Sequence, residues 1–329
     1  MKKLLKVLGI ILTIFIIGVL GILAFLQLGF PKVSPAKELN IEYTSERIER
    51  GKYLAHHVTL CMDCHAERDF GQFAGPPKAG TLGKGGDVFD HQMGFPGVFY
   101  AKNITPTGIS DYTDGELFRV ITTGVDNEGE PIFPVMPYQY YGKMDPEDIY
   151  DIIAYIRSLP AQGSEIPESK ADFPVNFIIR SVPKDGEPTK RPDPSDQIAY
   201  GSYLVNAAGC AECHTPVDAQ GAIIPELSFT GGRSFVMPGG TLLSSNITPH
   251  ENGLGGWTED YFVQMFKQYE DSSYVNPPVA PGDYNTIMPW TMYAGMKESD
   301  LSAIYAYIMT LAPSPNSVTK WTAGAVAEN

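Results

Sequence analysis

Apolar residues recur at i, i+3, i+4 and i+7 in two stretches, Asp145–Pro160 and Lys297–Pro313, which predicts two amphipathic helices. Asp145 is suited to the N-cap of the first helix, with Pro146 at its first position. The apolar positions are Ile149, Ile152, Ile153 and Ile156 in the first stretch, and Leu301, Ile304, Tyr305 and Ile308 in the second.

Two more helices are predicted from capping residues. Thr113 and Glu116 form a capping-box pattern before LFRVITTG, and Thr258 precedes EDYFVQMFKQY in a similar way. No sustained alternation of apolar and polar residues appears. We therefore expect an all-α fold, mainly helical with long loops and little sheet.

The chain repeats itself with a period of about 150 residues. Four words recur in the same order, which indicates a duplicated domain. Glu49–His65 resembles Ala199–His214, NITP occurs at 103–106 and 246–249, Val135–Tyr138 resembles Ile287–Trp290, and Asp145–Pro160 resembles Lys297–Pro313.

We expect one domain at residues 41–160 and a second at 196–313, with a C-terminal tail at 314–329. A proline-rich linker at 161–195 separates the domains. Its segment Phe173–Ile179 is too apolar to stay solvated, so we expect the linker to pack on one or both domains.

The N-terminus, residues 1–30, is predicted to be a single-pass membrane anchor. Val7–Leu26 is twenty residues long and carries no charge, enough to cross ~30 Å of hydrocarbon as a helix. No A-x-A-like cleavage pattern follows, which favours a retained anchor over a cleaved signal peptide. Three lysines precede the span, which places the N-terminus in the cytoplasm and the rest of the chain on the periplasmic side of the cytoplasmic membrane.

The formal net charge of −14 argues against a nucleic-acid partner. Three of the 24 basic residues and none of the 38 acidic ones lie in residues 1–30, which leaves 21 basic against 38 acidic residues in the exported part. The plain interpretation of this excess is solubility. A docking face for a basic partner is the alternative.

All four cysteines lie in two five-residue words, CMDCH at 61–65 and CAECH at 210–214. A thioredoxin-like pair would need a βαβ pattern, and a zinc site would need four ligands together. The form C-x-x-C-H is the attachment signature of c-type haem. We therefore predict two covalently bound haems, attached through Cys61, Cys64, Cys210 and Cys213, with His65 and His214 as ligands of the two irons.

Methionine opposite histidine is a typical ligand pair in electron-carrying haems. Met136 and Met288 lie at matched places of the two repeats and both precede proline. We predict that they are the distal iron ligands. Met237 is the strongest rival, but Phe95 stands at its counterpart position and cannot bind iron.

Other residues near the motifs leave alternatives open. His56 and His57 have no histidine counterparts in the second repeat and are interpreted as surface or packing residues. Asn103 and Asn246 begin the NITP words, where they either cap the local backbone or bind a haem propionate. The backbone carbonyl groups of Pro76 and Pro225 are possible hydrogen-bond acceptors for the Nδ1–H groups of His65 and His214.

The order CxxCH, NITP, MP(Y/W) and terminal helix resembles that of class I c-type cytochrome domains. More narrowly, the chain resembles the membrane-anchored cytochrome c subunits of periplasmic alcohol, gluconate and aldehyde dehydrogenases, from about Ile41 to Ala312. Those subunits often carry three haems, whereas this chain has motifs for two. The resemblance implies two tandem class I domains behind a transmembrane helix, each with one low-spin haem.

The function that we predict is electron transfer, not catalysis. A donor dehydrogenase or quinol-oxidising complex would pass single electrons to a soluble cytochrome or terminal oxidase. A di-haem peroxidase with one open iron is the alternative, and the matched methionines disfavour it. A gas or redox sensor is disfavoured because no signalling domain fits after Ala312.

Overall fold

The computed structural model describes residues 1–219, 221–237, 239–271 and 273–324, so the last five residues of the expected C-terminal tail lie outside it. The helices are α1 (Lys2–Gly29), α2 (Ser45–Tyr53), α3 (Cys61–Cys64), α4 (Asp114–Thr123), α5 (Tyr138–Tyr141), α6 (Pro146–Ser158), α7 (Val175–Ile178), α8 (Gln197–Ala207), α9 (Cys210–His214), α10 (Glu259–Lys267), α11 (Trp290–Tyr293) and α12 (Glu298–Ile308). The strands are β1 (Val88–Phe89), β2 (Gly97–Tyr100), β3 (Lys170–Ala171), β4 (Ser234–Met237), β5 (Gly240–Leu243) and β6 (Trp321–Ala323).

The two repeats are built on equivalent helix pairs, α2 with α6 and α8 with α12. Both pairs cross at a glycine. A Cβ on Gly51 would lie 1.8 Å from the carbonyl oxygen of Asp151, and one on Gly201 would lie 1.9 Å from that of Ala303. Only glycine permits such a close approach of two backbones, so each repeat closes its first helix against its last in the same way.

The predicted helix starts are confirmed. Asp145 caps α6 by accepting the N–H of Glu147, and Pro146 is its first residue. Thr113 and Glu116 form the capping box of α4. Thr258 caps α10 through the N–H of Tyr261, 3.2 Å from its hydroxyl oxygen. Local sequence therefore determines where these helices begin.

The expected all-α class holds only in part, because the described residues form two small three-stranded antiparallel sheets. The first has the order β1-β2-β3 and the second β4-β5-β6. Each strand has two to four residues. Strands this short cannot show the alternation that reveals longer ones, which is why the pattern missed them. Helix is still the main regular structure of the described residues, and each repeat has one small sheet.

The third strand of each sheet follows the last helix of its repeat. Lys170 in the linker pairs with Val98, and Trp321 near the C-terminus pairs with Leu242. The linker also packs on the protein, as expected: Ile179 is buried, and Arg191 contacts the fully buried carboxylate of Asp148. The apolar linker segment is nevertheless only partly covered, since Phe173 and Ile178 are exposed.

Reciprocal hydrogen bonds join the two repeats. The Tyr53 hydroxyl donates to Asp300 Oδ2, and the equivalent Tyr203 donates to Asp148 Oδ2, both at 2.6 Å. Each hydroxyl also accepts a backbone N–H from the opposite repeat at 3.1 Å. The two repeats are therefore joined by equivalent contacts, in each of which a tyrosine near the first helix of one repeat bonds to the start of the last helix of the other.

α1 is long and apolar enough to cross a membrane, and none of its residues is buried by the rest of the chain. It is consistent with the predicted membrane anchor. Its C-terminal end is held in place: the guanidinium of Arg180 donates two hydrogen bonds to the carbonyl oxygen of Phe30, at 3.0 and 3.1 Å.

Candidate haem sites

The first CxxCH motif forms the short helix α3, and His65 follows its last residue. The helix begins after Leu60, whose φ of 56° lies in the left-handed region. His65 Nδ1 lies 2.6 Å from the carbonyl oxygen of Lys102. Because a carbonyl oxygen can only accept, Nδ1 carries the proton and Nε2 keeps its lone pair. His65 is thus prepared to bind a metal through Nε2.

The second motif, α9, repeats this geometry. It begins after Gly209, whose φ of 62° matches that of Leu60. His214 Nδ1 donates to the carbonyl oxygen of Ser245 at 2.8 Å, so its Nε2 is also left as the electron-pair donor. The same backbone entry and the same imidazole hydrogen bond therefore occur in both repeats.

The carbonyl groups that orient the two histidines differ from those considered from the sequence. Pro76 and Pro225 were the candidate acceptors, and both are wrong. The acceptors are Lys102 and Ser245, each directly before the asparagine of a NITP word. The loop after each motif is long, so counting residues from the histidine could not find the carbonyl that folds back onto it.

Asn103 and Asn246 cap the local backbone, one of the two roles considered for them. The side-chain oxygen of Asn103 accepts from both the N–H and the hydroxyl of Thr105, at 2.8 and 2.7 Å. Asn246 does the same for Thr248. Their amide groups donate to backbone carbonyl oxygens in the chain that follows the last helix of each repeat. Asn103 donates to Gln162, and Asn246 donates to Ser314. They hold in place the carbonyl groups that orient the histidines.

Burial keeps the motif side chains neutral. It lowers the pKa of His65 and His214, although the hydrogen bonds to carbonyl oxygens act in the opposite direction. It raises the pKa of Cys64 and of Cys210 to about 12. Among the described residues, no three His, Cys, Asp or Glu side chains converge as a metal-ion site would require. Burial thus favours the neutral forms of these thiols and imidazoles.

Met136 and Met288 lie in equivalent turns. Each precedes a proline that lies directly before a short helix, α5 or α11. The carbonyl oxygen of Met136 accepts the N–H of Tyr138, and that of Met288 accepts the N–H of Trp290, both at 2.8 Å. Both side chains are partly buried against the core. The matched places in sequence are therefore matched in conformation as well.

A tyrosine ties each methionine loop to the CxxCH motif of its own repeat. The Tyr141 hydroxyl donates to the carbonyl oxygen of Thr59 at 2.7 Å, and the Tyr293 hydroxyl donates to that of Ala208 at 2.9 Å. Both acceptors lie two residues before the first cysteine of a motif. Sequence reasoning missed this link, although a tyrosine five residues after each methionine was a readable signal.

The second methionine loop is also tied to the first repeat. Asn285 is fully buried, three residues before Met288. Its side-chain oxygen accepts the N–H of Ala74 at 2.9 Å, and its amide donates to the carbonyl oxygen of Phe70 at 3.0 Å. The oxygen also accepts the N–H of Thr286, whose hydroxyl in turn accepts the N–H of Met288. One side chain thus joins the distal loop of one repeat to a loop of the other.

The first methionine loop is supported differently. Phe133 occupies the position equivalent to Asn285, and its ring stacks on Phe99 with centroids 4.0 Å apart. Phe95 packs edge-on against the same two rings. This aromatic cluster comes entirely from the first repeat. The position three residues before Met136 is therefore packed within its own repeat, whereas the position three residues before Met288 is bonded to the other repeat.

His56 and His57 pack as expected. His56 Nε2 lies 2.6 Å from the Tyr155 hydroxyl, and burial lowers the pKa of His56 to about 4. His57 Nδ1 donates to the carbonyl oxygen of Met292 across the repeat contact, at 2.7 Å. Met237, the rival ligand, is buried in β4, where it pairs with Gly240 in a hairpin.

Both motifs lie close to the contact between the repeats. Burial raises the pKa of Cys64 and of Cys213, and the positive charge of Arg68 opposes that rise at both thiols. His57, four residues before Cys61, contacts the carbonyl oxygen of Met292 in the other repeat. The carbonyl oxygen of Tyr140 also accepts the amide of Asn206, in the helix directly before α9, at 3.0 Å.

Comparison with known proteins identifies the family. The sequence profile described as cytochrome c matches residues 198–312. Cytochrome c2 of Rhodopila globiformis is 31% identical over 109 residues, which is 33% of this chain and 90% of that protein. The chain belongs to the cytochrome c family.

Longer relatives extend the comparison over most of the chain. The cytochrome c subunit of an alcohol dehydrogenase (quinone) from Gluconacetobacter polyoxogenes is 28% identical over 84% of this chain and 58% of its own length. A protein described as diheme cytochrome c-type, from Cereibacter sphaeroides, is 29% identical over 65% of this chain and 72% of its own length. The chain thus spans about three fifths of the first of these relatives.

The residues fit the prosthetic group that the family implies, a covalently bound haem c. Two thiols and an imidazole with a free Nε2 stand together in each motif, and the imidazole is oriented by a backbone carbonyl. Haem c attachment needs this donor set.

Proposed function

We propose that the chain is a membrane-anchored di-haem cytochrome and not itself an enzyme. It takes single electrons from a dehydrogenase or quinol-oxidising complex and passes them to a soluble cytochrome or a terminal oxidase. The resemblance to a dehydrogenase cytochrome subunit and to a diheme cytochrome supports this proposal.

Each repeat is proposed to hold one haem c through two thioether bonds, with one histidine and one methionine as axial ligands of its iron. The first set is Cys61, Cys64, His65 and Met136, and the second is Cys210, Cys213, His214 and Met288.

One observation carries the proposal: the tyrosine that joins each methionine loop to its own CxxCH motif. The hydrogen bonds from Tyr141 to Thr59 and from Tyr293 to Ala208 occur at equivalent positions. They hold the distal loop beside the proximal motif in both repeats. This supports two six-coordinate irons, whereas a peroxidase would need one iron with an open position.

The domain organisation is proposed as two tandem class I cytochrome domains, at residues 41–160 and 196–313. The linker at 161–195 and the tail at 314–329 each contribute the third strand of a small sheet. The reciprocal contacts between the repeats, with both motifs near them, support electron exchange within one chain.

When bound, a haem c supplies an iron that gains or loses one electron. The proposed histidine and methionine ligands of each repeat would hold that iron. The carbonyl groups of Lys102 and Ser245 fix the imidazole rings, and the tyrosine ties fix the methionine loops. A fixed ligand set favours rapid exchange because little has to rearrange when the charge changes. Thioether opposite imidazole also raises the reduction potential.

The anchor is proposed to be retained, with the haem domains on the periplasmic side. We expect the protein purified from membranes to keep Val7–Leu26, because no cleavage pattern follows that span. Intact-mass measurement and N-terminal sequencing test this. A mature chain that starts near Pro31 would show that α1 is a cleaved signal peptide.

The acidic surface is proposed to guide a basic partner. We expect electron transfer from the reduced full-length holoprotein to a basic soluble cytochrome c to slow by about tenfold or more from low to high salt, because steering is screened. Stopped-flow spectroscopy measures the rate, with a neutral quinone oxidant as the control whose rate stays constant. A salt-independent rate with the basic cytochrome would remove this role for the charge.

A further inference from the structure

An apolar surface lies exposed on the linker. It consists of Phe173, Pro174, Phe177 and Ile178, which we call the α7 patch. The Phe173 side chain is 70% exposed and that of Ile178 48% exposed. The rings of Phe173 and Phe177 pack edge to face, with centroids 6.2 Å apart, so the patch is a continuous surface. Adjacent exposed aromatic and aliphatic side chains usually mark a contact with another surface.

The position of the patch along α1 indicates what that surface is. α7 and the turn Ile179–Ser181 pack against α1. Within the span Val7–Leu26, only Leu23 and Leu26 are partly covered, which puts this contact at the last turns of the helix. The hydrogen bonds from Arg180 to the carbonyl oxygen of Phe30, the residue that follows α1, lie at the same end of the helix.

The length of α1 sets that level relative to a bilayer. From Lys6 to Gly29 the helix rises roughly 35 Å at 1.5 Å per residue. The hydrocarbon core is ~30 Å thick. The last turns of α1 therefore lie at the outer edge of the hydrocarbon, and the α7 patch lies beside them. Lys32, exposed with its ammonium 5.0 Å from the Phe30 ring centroid, stands where lipid phosphates would be.

From this placement we infer that the α7 patch is a second membrane contact, which inserts into the outer leaflet of the lipid bilayer beside α1. Aromatic side chains are favoured at this depth. Two contacts, one spanning and one interfacial, fix the tilt of the haem domains against the membrane, which a single helix followed by a flexible chain would not. The inference rests on the proposed anchoring of α1.

The contact can be tested with lipid photo-crosslinking of the full-length holoprotein. Single photoreactive p-benzoyl-phenylalanine residues replace Phe173 or Ile178 in the patch, Phe15 in α1, and Val275 in the second repeat. Phe15 is 67% and Val275 79% exposed, so the negative control at 275 is more exposed than either residue of the patch. Each variant is reconstituted in nanodiscs of phosphatidylethanolamine and phosphatidylglycerol, and its haem absorbance is checked before irradiation.

Intact-mass spectrometry then reads the adducts. We expect a mass increase of one phospholipid with probes at 15, 173 and 178, and no such increase with the probe at 275. Adducts at 15 but not at 173 or 178 would overturn the inference and leave the anchor standing. Crosslinks from 173 and 178 to a second copy of the chain would also overturn it. No adduct at 15 would contradict the proposed anchoring itself, and the patch contact with it.

Discussion

Replacing Met136 or Met288 by alanine is expected to open one haem and leave the other unchanged, because each loop is tied to its own motif through Tyr141 or Tyr293. The opened haem should lose its near-infrared methionine-to-iron band and bind carbon monoxide when reduced. Its potential should fall by on the order of 0.1 V, within the ~0.8 V range that axial ligands span. Both haems should stay covalently bound, since the cysteines are untouched.

Met237→Ala is the matched control for this experiment. Met237 is buried and precedes a proline, like the two proposed ligands, but it lies in the β4–β5 hairpin. We expect the Met237→Ala protein to keep the full near-infrared band and the carbon monoxide resistance of the unmutated protein. If Met237→Ala opens the second haem and Met288→Ala does not, the assignment of Met288 is wrong.

Asn285→Ala is expected to loosen the second methionine loop while leaving the first intact. The change leaves the buried N–H of Ala74 and the carbonyl of Phe70 without their partner. We expect the free energy of unfolding to fall by about 3 kcal/mol, since each buried polar group left without a partner destabilises the fold by about 1–3 kcal/mol. We expect a thermal midpoint several degrees lower and the near-infrared band reduced by the share of one haem.

Asn252→Ala provides the matched control, because Asn252 is an exposed asparagine with an amide bond to the Pro315 carbonyl oxygen at 2.8 Å. It should change neither the midpoint nor the band. If the Asn285→Ala protein lost the near-infrared band of the first haem, or kept the bands of both haems, the dependence of the Met288 loop on the first repeat would be contradicted.

The helices and the proximal motifs were predictable because local residues determine them. Capping residues locate the starts of α4, α6 and α10, and the CxxCH motifs predict the proposed attachment sites. The internal repeat supported these predictions, because each motif occurs in both halves of the chain. Met136 and Met288 were predicted as iron ligands in the same way, and they lie in equivalent turns.

The interactions that complete the sites could not be predicted, because they join residues distant in sequence. Lys102 and Ser245 act through backbone carbonyl groups, which have no sequence signature. Asn285 faces a loop of the other repeat, and Phe133 replaces it in the first repeat, so comparing the repeats could only conceal its role. The third strand of each sheet comes from the part of the chain that follows the last helix of its repeat.

The central claim is that every chain holds two haems, each with histidine and methionine on its iron. Low-temperature electron paramagnetic resonance of the oxidised full-length protein, with haem measured as its pyridine complex, tests it most directly. The account predicts two haems per chain, both low-spin, and no turnover of hydrogen peroxide. A high-spin signal from one of two haems in the unmutated protein, together with peroxide turnover, would contradict it and favour a peroxidase.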